Sequence, residues 1–316
     1  MTEPLYHDED RPRLAAMGPV KVRVPAKINL HLGVGPARVD GFHELATIYH
    51  AIAIFDEITA RPADALALTM DGEGAGELAL DDSNLVIKAV KALAAETGRE
   101  PHARLHLRKQ IPLASGLAGG SADAAAALVA CDALWGTGFS REELAHVGAR
   151  LGSDVPFLVL GGTALGTSRG EAVSPVLAPG HAWYWVVAIA DSGLSTPEVY
   201  GELDRLRGVG AAPPSVGTPD EILAALRQRD PGVLAKALGN DLEAAALSLR
   251  HGIRATLDAG VAAGALAGLV SGSGPTCVFL ARDAAHATSV AGALVDRDVC
   301  RAVRTAHGPV PGARLI

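Results

Sequence analysis

Between Pro112 and Ala122 the chain reads Pro-Leu-Ala-Ser-Gly-Leu-Ala-Gly-Gly-Ser-Ala, then continues into the alanine-rich run Asp123 to Leu134. Alanine is the strongest helix former, so the run predicts a helix, and the glycines before it predict a flexible loop ending at that helix's N-terminus. Such a terminus carries unpaired N–H groups and a partial positive charge, which suits phosphate. The same pattern also serves as a tight connection whose glycines only relieve crowding, and on pattern alone both readings stand. No G-K-[ST] follows the loop, so it is not a Walker A motif. The dinucleotide pattern G-x-G-x-x-G occurs nowhere in the chain.

Around this loop the elements interleave irregularly. Val20 to Val24 alternates as a half-buried strand, Pro25 interrupts it, and Ile28 to Val34 reads as a second strand. Ile48 to Ile58 is another strand, Asn84 to Ala95 a helix closed by Gly98, and Leu105 to Leu107 a short strand. Ser140 and Glu143 form a capping box, as do Thr218 and Glu221. Trp183 to Ala190 is a continuous apolar strand, buried on both faces, and Leu234, Leu238 and Leu242 mark one helix. The order departs from a strict βαβα rhythm, so an α+β fold in two domains is expected. A loose tail (residues 1–18) precedes a domain of residues 19–178 and another of residues 179–316, with a hinge in the proline-rich stretch from Pro175 to Pro179.

Several function classes fall away. With 28 Lys and Arg against 35 Asp and Glu, the net charge of −7 offers no field for nucleic acid. Cys131, Cys277 and Cys300 lack metal or disulfide spacing and read as buried, reduced thiols. The acidic start is no signal peptide, which points to the cytoplasm. Ala259 to Ala281 carries no charge, but its centre, Ser271-Gly272-Ser273-Gly274-Pro275, breaks any spanning helix and reads as a turn between helix and strand. His43-Glu44 lacks the second histidine of a zinc motif. Gly166 to Gly170 matches G-x-S-x-G, but Ser174-Pro175 follows where a helix is needed. His106 and His146 read as solvated.

The remaining polar positions have modest readings of their own. Lys27 and Asn29 alternate with apolar neighbours and share one face of a strand, where a lysine often guards an edge. Asp154, in Gly-Ser-Asp-Val-Pro, begins a helix and serves either as a cap or as a fixed carboxylate that accepts a proton. Asp40-Gly41-Phe42-His43 is a hairpin turn with a core phenylalanine, or an aromatic for stacking beside an imidazole that donates and accepts.

Taken together and in order, these segments resemble the GHMP kinase superfamily. Pro25-Ala-Lys-Ile-Asn-Leu-His-Leu, Arg38-Val-Asp-Gly-Phe-His, the loop from Pro112, Gly152-Ser-Asp-Val-Pro, Asn240-Asp-Leu-Glu and Ser271-Gly-Ser-Gly-Pro-Thr all fit. The first two are similar to the branch that phosphorylates the 2-hydroxyl of 4-diphosphocytidyl-2-C-methyl-D-erythritol in the non-mevalonate isoprenoid route. The resemblance implies a nucleotide-binding N-terminal domain and a ferredoxin-like C-terminal domain. It also implies ATP and Mg²⁺ as cofactors and a cytidyl diphosphate as small-molecule partner, with no membrane or protein partner indicated. By position, Asp154 would be the base and Lys27 its neighbour at the reacting hydroxyl. Phe42 and Tyr200 would sandwich the cytosine and His43 would read its edge, with Asn29 and Thr196 on the same substrate. Pro112, Leu113, Ala114, Ser115, Gly116, Leu117, Ala118, Gly119, Gly120, Ser121 and Ala122 would cradle the ATP phosphates. Metal ligands are unspecified, with Ser121 a candidate. Ala118 stands where glycine is frequent, tightening the loop. A different acceptor alcohol and a non-catalytic nucleotide-binding regulator are the rival readings; a regulator need not keep both Lys27 and Asp154.

Overall fold

The computed structural model describes residues 18–177 and 180–316. The expected tail (all but Gly18) and the end of the expected hinge, with the boundary at 178/179, lie outside the described residues.

Two long strands, β1 (Val20–Ala37) and β2 (His43–Arg61), form the antiparallel spine of the first sheet. Pro25 does not interrupt the strand: β1 runs through it as a single strand. The pairing register with β2 shifts between Pro25 and Ala26, and a bulge is where a strand tolerates proline. At its far end β2 pairs with β4 (Arg104–Lys109), which pairs in turn with β3 (Ala67–Gly72). Nearer its start β2 pairs with β5 (Thr163–Thr167), which runs into β6 (Ala172–Pro175). Gly166 to Gly170 therefore lies on a hairpin, and no helix follows its serine.

The second sheet contains β7 (Trp183–Ile189), β9 (Ala267–Val270), β10 (Cys277–Ala281) and β11 (Ala302–Gly308), in the order β11-β7-β10-β9. Helices intervene between β7 and β9 and between β10 and β11, which makes the βαββαβ ferredoxin-like arrangement. Two short pieces return to β1 in the first sheet: β8 (Gly239–Asn240) and β12 (Arg314–Leu315). β8 interrupts what Leu234 to Leu242 predicts as one helix; the structure has two, Pro231–Ala237 and Glu243–Leu249. The expected box at Thr218 also fails, because its hydroxyl bonds Asp220 and the helix Asp220–Gln228 starts without a side-chain cap. Asn84 and the box at Ser140 do cap their helices, and Gly98 closes the first of these.

The helix Gly119–Trp135 is buried almost all round, as a helix apolar on every side must be. Its alanines let it lie close between β1, β2 and the helices Leu85–Thr97 and Val155–Leu160. β7 is buried on both faces, as its unbroken apolar run predicts. Trp183, Trp185, Val187 and Ile189 join the core of the first sheet, and Val186 and Ala188 join a second core with Phe279, Val290 and Leu257. Not every minor histidine is solvated: His50 is fully buried beside Trp185, and burial pushes it down to about 3. Cys131 and Cys277 are buried thiols as expected, while Cys300 is only half-buried.

Phe279 fills the second core by nesting between two glycines. A Cβ on Gly260 of the helix Gly252–Ala262 would stand 2.0 Å from its ring, and one on Gly268 would stand 2.7 Å away. Overpacking of this kind costs about 1–3 kcal/mol. Gly260→Ala is therefore expected to lower the urea midpoint at unchanged slope.

Candidate active site

β1 pairs with β2 along one edge and, on the other, with β12 at Val22–Arg23 and β8 at His31–Leu32. Between these Lys27 donates its backbone N–H to the Leu117 carbonyl of the glycine loop, and at 5 % exposed it is no edge guard. A buried ammonium needs partners. Its Nζ donates to Asn29 Oδ1 at 2.8 Å, Asn29 Nδ2 donates to Thr47 Oγ1 at 2.7 Å, and that hydroxyl donates to the His31 carbonyl at 2.7 Å. This chain of bonds fixes the direction of the Asn29 amide and aims the lysine. Asp154 Oδ2 lies 3.8 Å from Nζ. Asp154 stands at the start of the helix Val155–Leu160 yet makes no side-chain cap bond, so its carboxylate stays available to the cleft. Tyr49, stacked on Phe157 at 4.9 Å, completes this corner. Burial, and then the charge of Asp154 to which its hydroxyl bonds, hold the Tyr49 phenol well above its usual range, so it remains a neutral donor.

Two glycine loops press against each other beside the lysine. Gly116 has φ +80°, and a Cβ there would stand 2.0 Å from the Ser271 carbonyl, so only glycine permits the approach. Ser271 Oγ donates to the Gly116 carbonyl at 3.2 Å, and Thr276 N donates to the Ser115 carbonyl at 3.4 Å. The turn Ser271–Pro275 is thus both a connection from β9 to β10 and a wall of the cleft. Ala118 adopts φ +58° directly before the helix, a left-handed conformation that costs an alanine roughly 1–2 kcal/mol. No side chain caps this helix, so its first amides remain for a ligand.

Ala114, Ser115, Gly116, Ala118, Gly119, Gly120 and Ser121 line a cleft of about 690 Å³. Four loop positions do not line it. Leu117 and Ala122 are buried beneath it, Leu113 faces a neighbouring cavity of about 510 Å³, and the Pro112 carbonyl accepts from Ser115 Oγ at 2.8 Å.

The other end of the cleft lies at the β1–β2 hairpin. Phe42 is not the core residue a turn would favour: it is 51 % exposed, with the Arg169 guanidinium 5.0 Å from its ring centre. His43 Nε2 bonds Asp204 Oδ1 at 2.9 Å, and the Tyr200 ring lies 5.0 Å from the imidazole at 34°. Thr196 Oγ1 lies 2.9 Å from Ser273 Oγ. Burial, then the charge of Asp154, push the Tyr200 phenol up. Lys27, Asn29, Phe42, His43, Asp154, Thr196 and Tyr200 thus share one cavity. Sequence reasoning missed Tyr49, Asp204 and Arg169. Asp204 stands four residues after Tyr200 on the helix Thr196–Gly208, and that spacing could have found it. Tyr49 shares a strand face with Thr47. Arg169, in the turn after β5, carries no local signal.

Comparison with known proteins agrees with this geometry. Residues 84–162 match the GHMP kinases N terminal domain, and residues 222–298 match the GHMP kinases C terminal domain. The 4-diphosphocytidyl-2-C-methyl-D-erythritol kinase of Salinispora tropica is 71 % identical over 315 residues, covering 100 % of both chains. That of Nocardia farcinica is 55 % identical, covering 94 % of this chain and 96 % of its own. A crystal structure of 4-(cytidine 5'-diphospho)-2C-methyl-D-erythritol kinase superposes with a TM-score of 0.73 at 30 % identity, covering 90 % of this chain and 98 % of that one. A homoserine kinase from Cytophaga hutchinsonii, 20 % identical, shares the fold at a TM-score of 0.73, covering 99 % of this chain and 100 % of its own. The chain belongs to the 4-diphosphocytidyl-2-C-methyl-D-erythritol kinase family of the GHMP kinases.

Proposed function

We propose that this protein transfers the γ-phosphate of ATP to the 2-hydroxyl of 4-diphosphocytidyl-2-C-methyl-D-erythritol, with Asp154 as general base. The observation that carries the assignment is the pairing of an uncapped Asp154 carboxylate with a buried Lys27, 3.8 Å apart, beside a glycine loop that opens a helix. Phosphoryl transfer asks chiefly for positioning and charge stabilisation. The free amides at Gly119 to Ser121 receive the phosphates. Lys27 has three donors, of which Asn29 takes one, so the others are free to face the transferred group and Asp154. As the acceptor oxygen attacks, Asp154 takes its proton.

Mg²⁺ fits the residues present in a limited way. Among the described residues no group of three or more His, Cys, Asp or Glu could hold a metal. Mg²⁺ keeps several waters and takes few protein oxygens beside ATP phosphates, and the Ser121 hydroxyl at the loop's end is the candidate protein ligand. When bound, the ion offsets phosphate charge.

The acceptor's base is assigned to the hairpin corner. Asp204 accepts from His43 Nε2–H, which leaves Nδ1 as an acceptor for an exocyclic amine such as that of cytosine. Phe42 and Tyr200 supply the stacking surfaces. In this reading residues 19–178 carry the ATP cradle, and residues 179–316 complete the acceptor site through Thr196 and Tyr200. The setting is the cytoplasm; no helix among the described residues is long and apolar enough to cross a membrane.

Release of ADP from ATP and Mg²⁺ with the cytidyl alcohol, against a panel of other alcohols, tests the reaction itself. Asp154→Asn is expected to lower kcat on the order of 10²–10⁴-fold. ATP affinity and stability should hold, because no cap bond is lost. Near-normal single-turnover rates would remove Asp154 from the mechanism. Tyr200→Ala is expected to raise KM for the cytidyl substrate by the worth of one stacking contact, about 1–3 kcal/mol, and to leave KM for ATP unchanged. An equal rise in both constants would place the base elsewhere.

A further inference from the structure

Beneath the phosphate loop lies a buried ionic cluster that the reaction itself does not use. Lys109, the last residue of β4, is 1 % exposed; its Nζ donates to Asp56 Oδ2 at 2.7 Å and to Asp123 Oδ2 at 2.8 Å. Both carboxylates are buried too. They attach to opposite ends of the loop. Asp56 Oδ1 accepts the backbone N–H of Gln110 and of Ile111 (2.8 Å), immediately before Pro112. Asp123 sits one turn into the helix that begins at Gly119. The ammonium lies directly under that helix start: a Cβ on Gly119 would stand 3.0 Å from Nζ. Gly119 therefore packs downward on Lys109, and glycine there serves close approach below the loop.

The charges in this cluster do not balance as they are usually drawn. One ammonium faces two carboxylates, which would leave a net negative charge under a site for polyphosphate. Asp56 is fully satisfied by two amides and the lysine. Asp123 Oδ1, in contrast, is buried with no hydrogen-bond partner. A bare carboxylate oxygen in that position is costly, and two carboxylates on one ammonium raise the proton affinity of the one with fewer hydrogen bonds. Burial and the neighbouring Asp56 push Asp123 well above the usual carboxylate range, against the pull of Lys109.

We propose that Lys109 is a positioning residue for ATP, clamping both ends of the phosphate loop through Asp56 and a protonated Asp123. The cluster is then neutral. It fixes the distance between the loop's two ends, so that its amides converge on one point, and it adds no repulsion toward the phosphates. The proposal rests on ATP being the donor and not on which alcohol accepts.

Calorimetric titration of the full-length protein with a non-hydrolysable ATP analogue tests it, together with KM for each substrate. Lys109→Met is expected to weaken the analogue by roughly 10–100-fold, the usual cost of losing an outer partner that orients a binding group, with KM for the alcohol unchanged. Asp123→Asn reproduces the neutral acid in shape and should bind the analogue like the wild type. Asp123→Ala removes the anchor and should not. In the infrared, a buried carboxylic-acid carbonyl band present in the wild type should vanish in Asp123→Asn. Wild-type affinity in Lys109→Met, or in Asp123→Ala should Lys109→Met fail to fold, would overturn the clamp. Lost affinity in folded Asp123→Asn, or a missing acid band in the wild type, would overturn the neutral cluster. A wild type that binds the analogue but ignores the cytidyl alcohol would reject the proposed acceptor and leave the clamp standing.

Discussion

Burial of β7 on both faces holds the two sheets in one arrangement. Trp183, Trp185, Val187 and Ile189 are removed from water by the first core, and Val186 and Ala188 by the second. Burying a side chain of this size stabilises by about 1.5–3 kcal/mol, so the contact is strong as well as two-sided. β8 and β12 reinforce it from the other direction by returning to β1. The cleft opens beside this joint, which is why the turn from β9 to β10 can reach the phosphate loop and Lys27 together. A looser joint would separate Ser271 from Gly116 and open the wall.

Much of this was legible in the sequence because it is local. Alternation placed Lys27 and Asn29 on one face, the alanine run gave its helix, and an unbroken apolar run gave a strand with two buried faces. Local patterns failed where tertiary contact decided the matter. Pro25 sits within a single strand because a bulge absorbs it. The Leu234–Leu242 periodicity breaks after the helix Pro231–Ala237 because Gly239 and Asn240 are drawn into pairing with His31 and Leu32, and the next helix starts only at Glu243. Thr218 bonds Asp220 and leaves its helix uncapped. Within the site, the partnership of His43 with Asp204 joins residues 161 apart in the chain, a relation no spacing rule reports.

The polar groups divide into those spent on structure and those left for chemistry. Asp241 accepts from Val34 N, Val216 N and Ser215 Oγ, and so ties the β8 segment to β1 with its oxygens fully used. Asp154 begins a helix, where an aspartate ordinarily caps, yet it makes no such bond and turns to Lys27 and Tyr49 instead. The two aspartates thus differ in satisfaction as well as in burial.

Lys27, Asn29 and the Phe42–His43 corner all lie along one antiparallel ribbon, β1 and β2 with their hairpin. A paired ribbon stretches and bends far less than a loop, so the separation between the two ends of the cleft is a property of strand rise and bulge placement. In the proposed reaction the ribbon then acts as a gauge. An acceptor whose base occupies the corner presents its hydroxyl to Asp154 only if the tether between them has the matching length. Discrimination by reach follows at no extra cost in contacts, and a matched two-residue change in both strands, which keeps each side chain on its own face, would alter it.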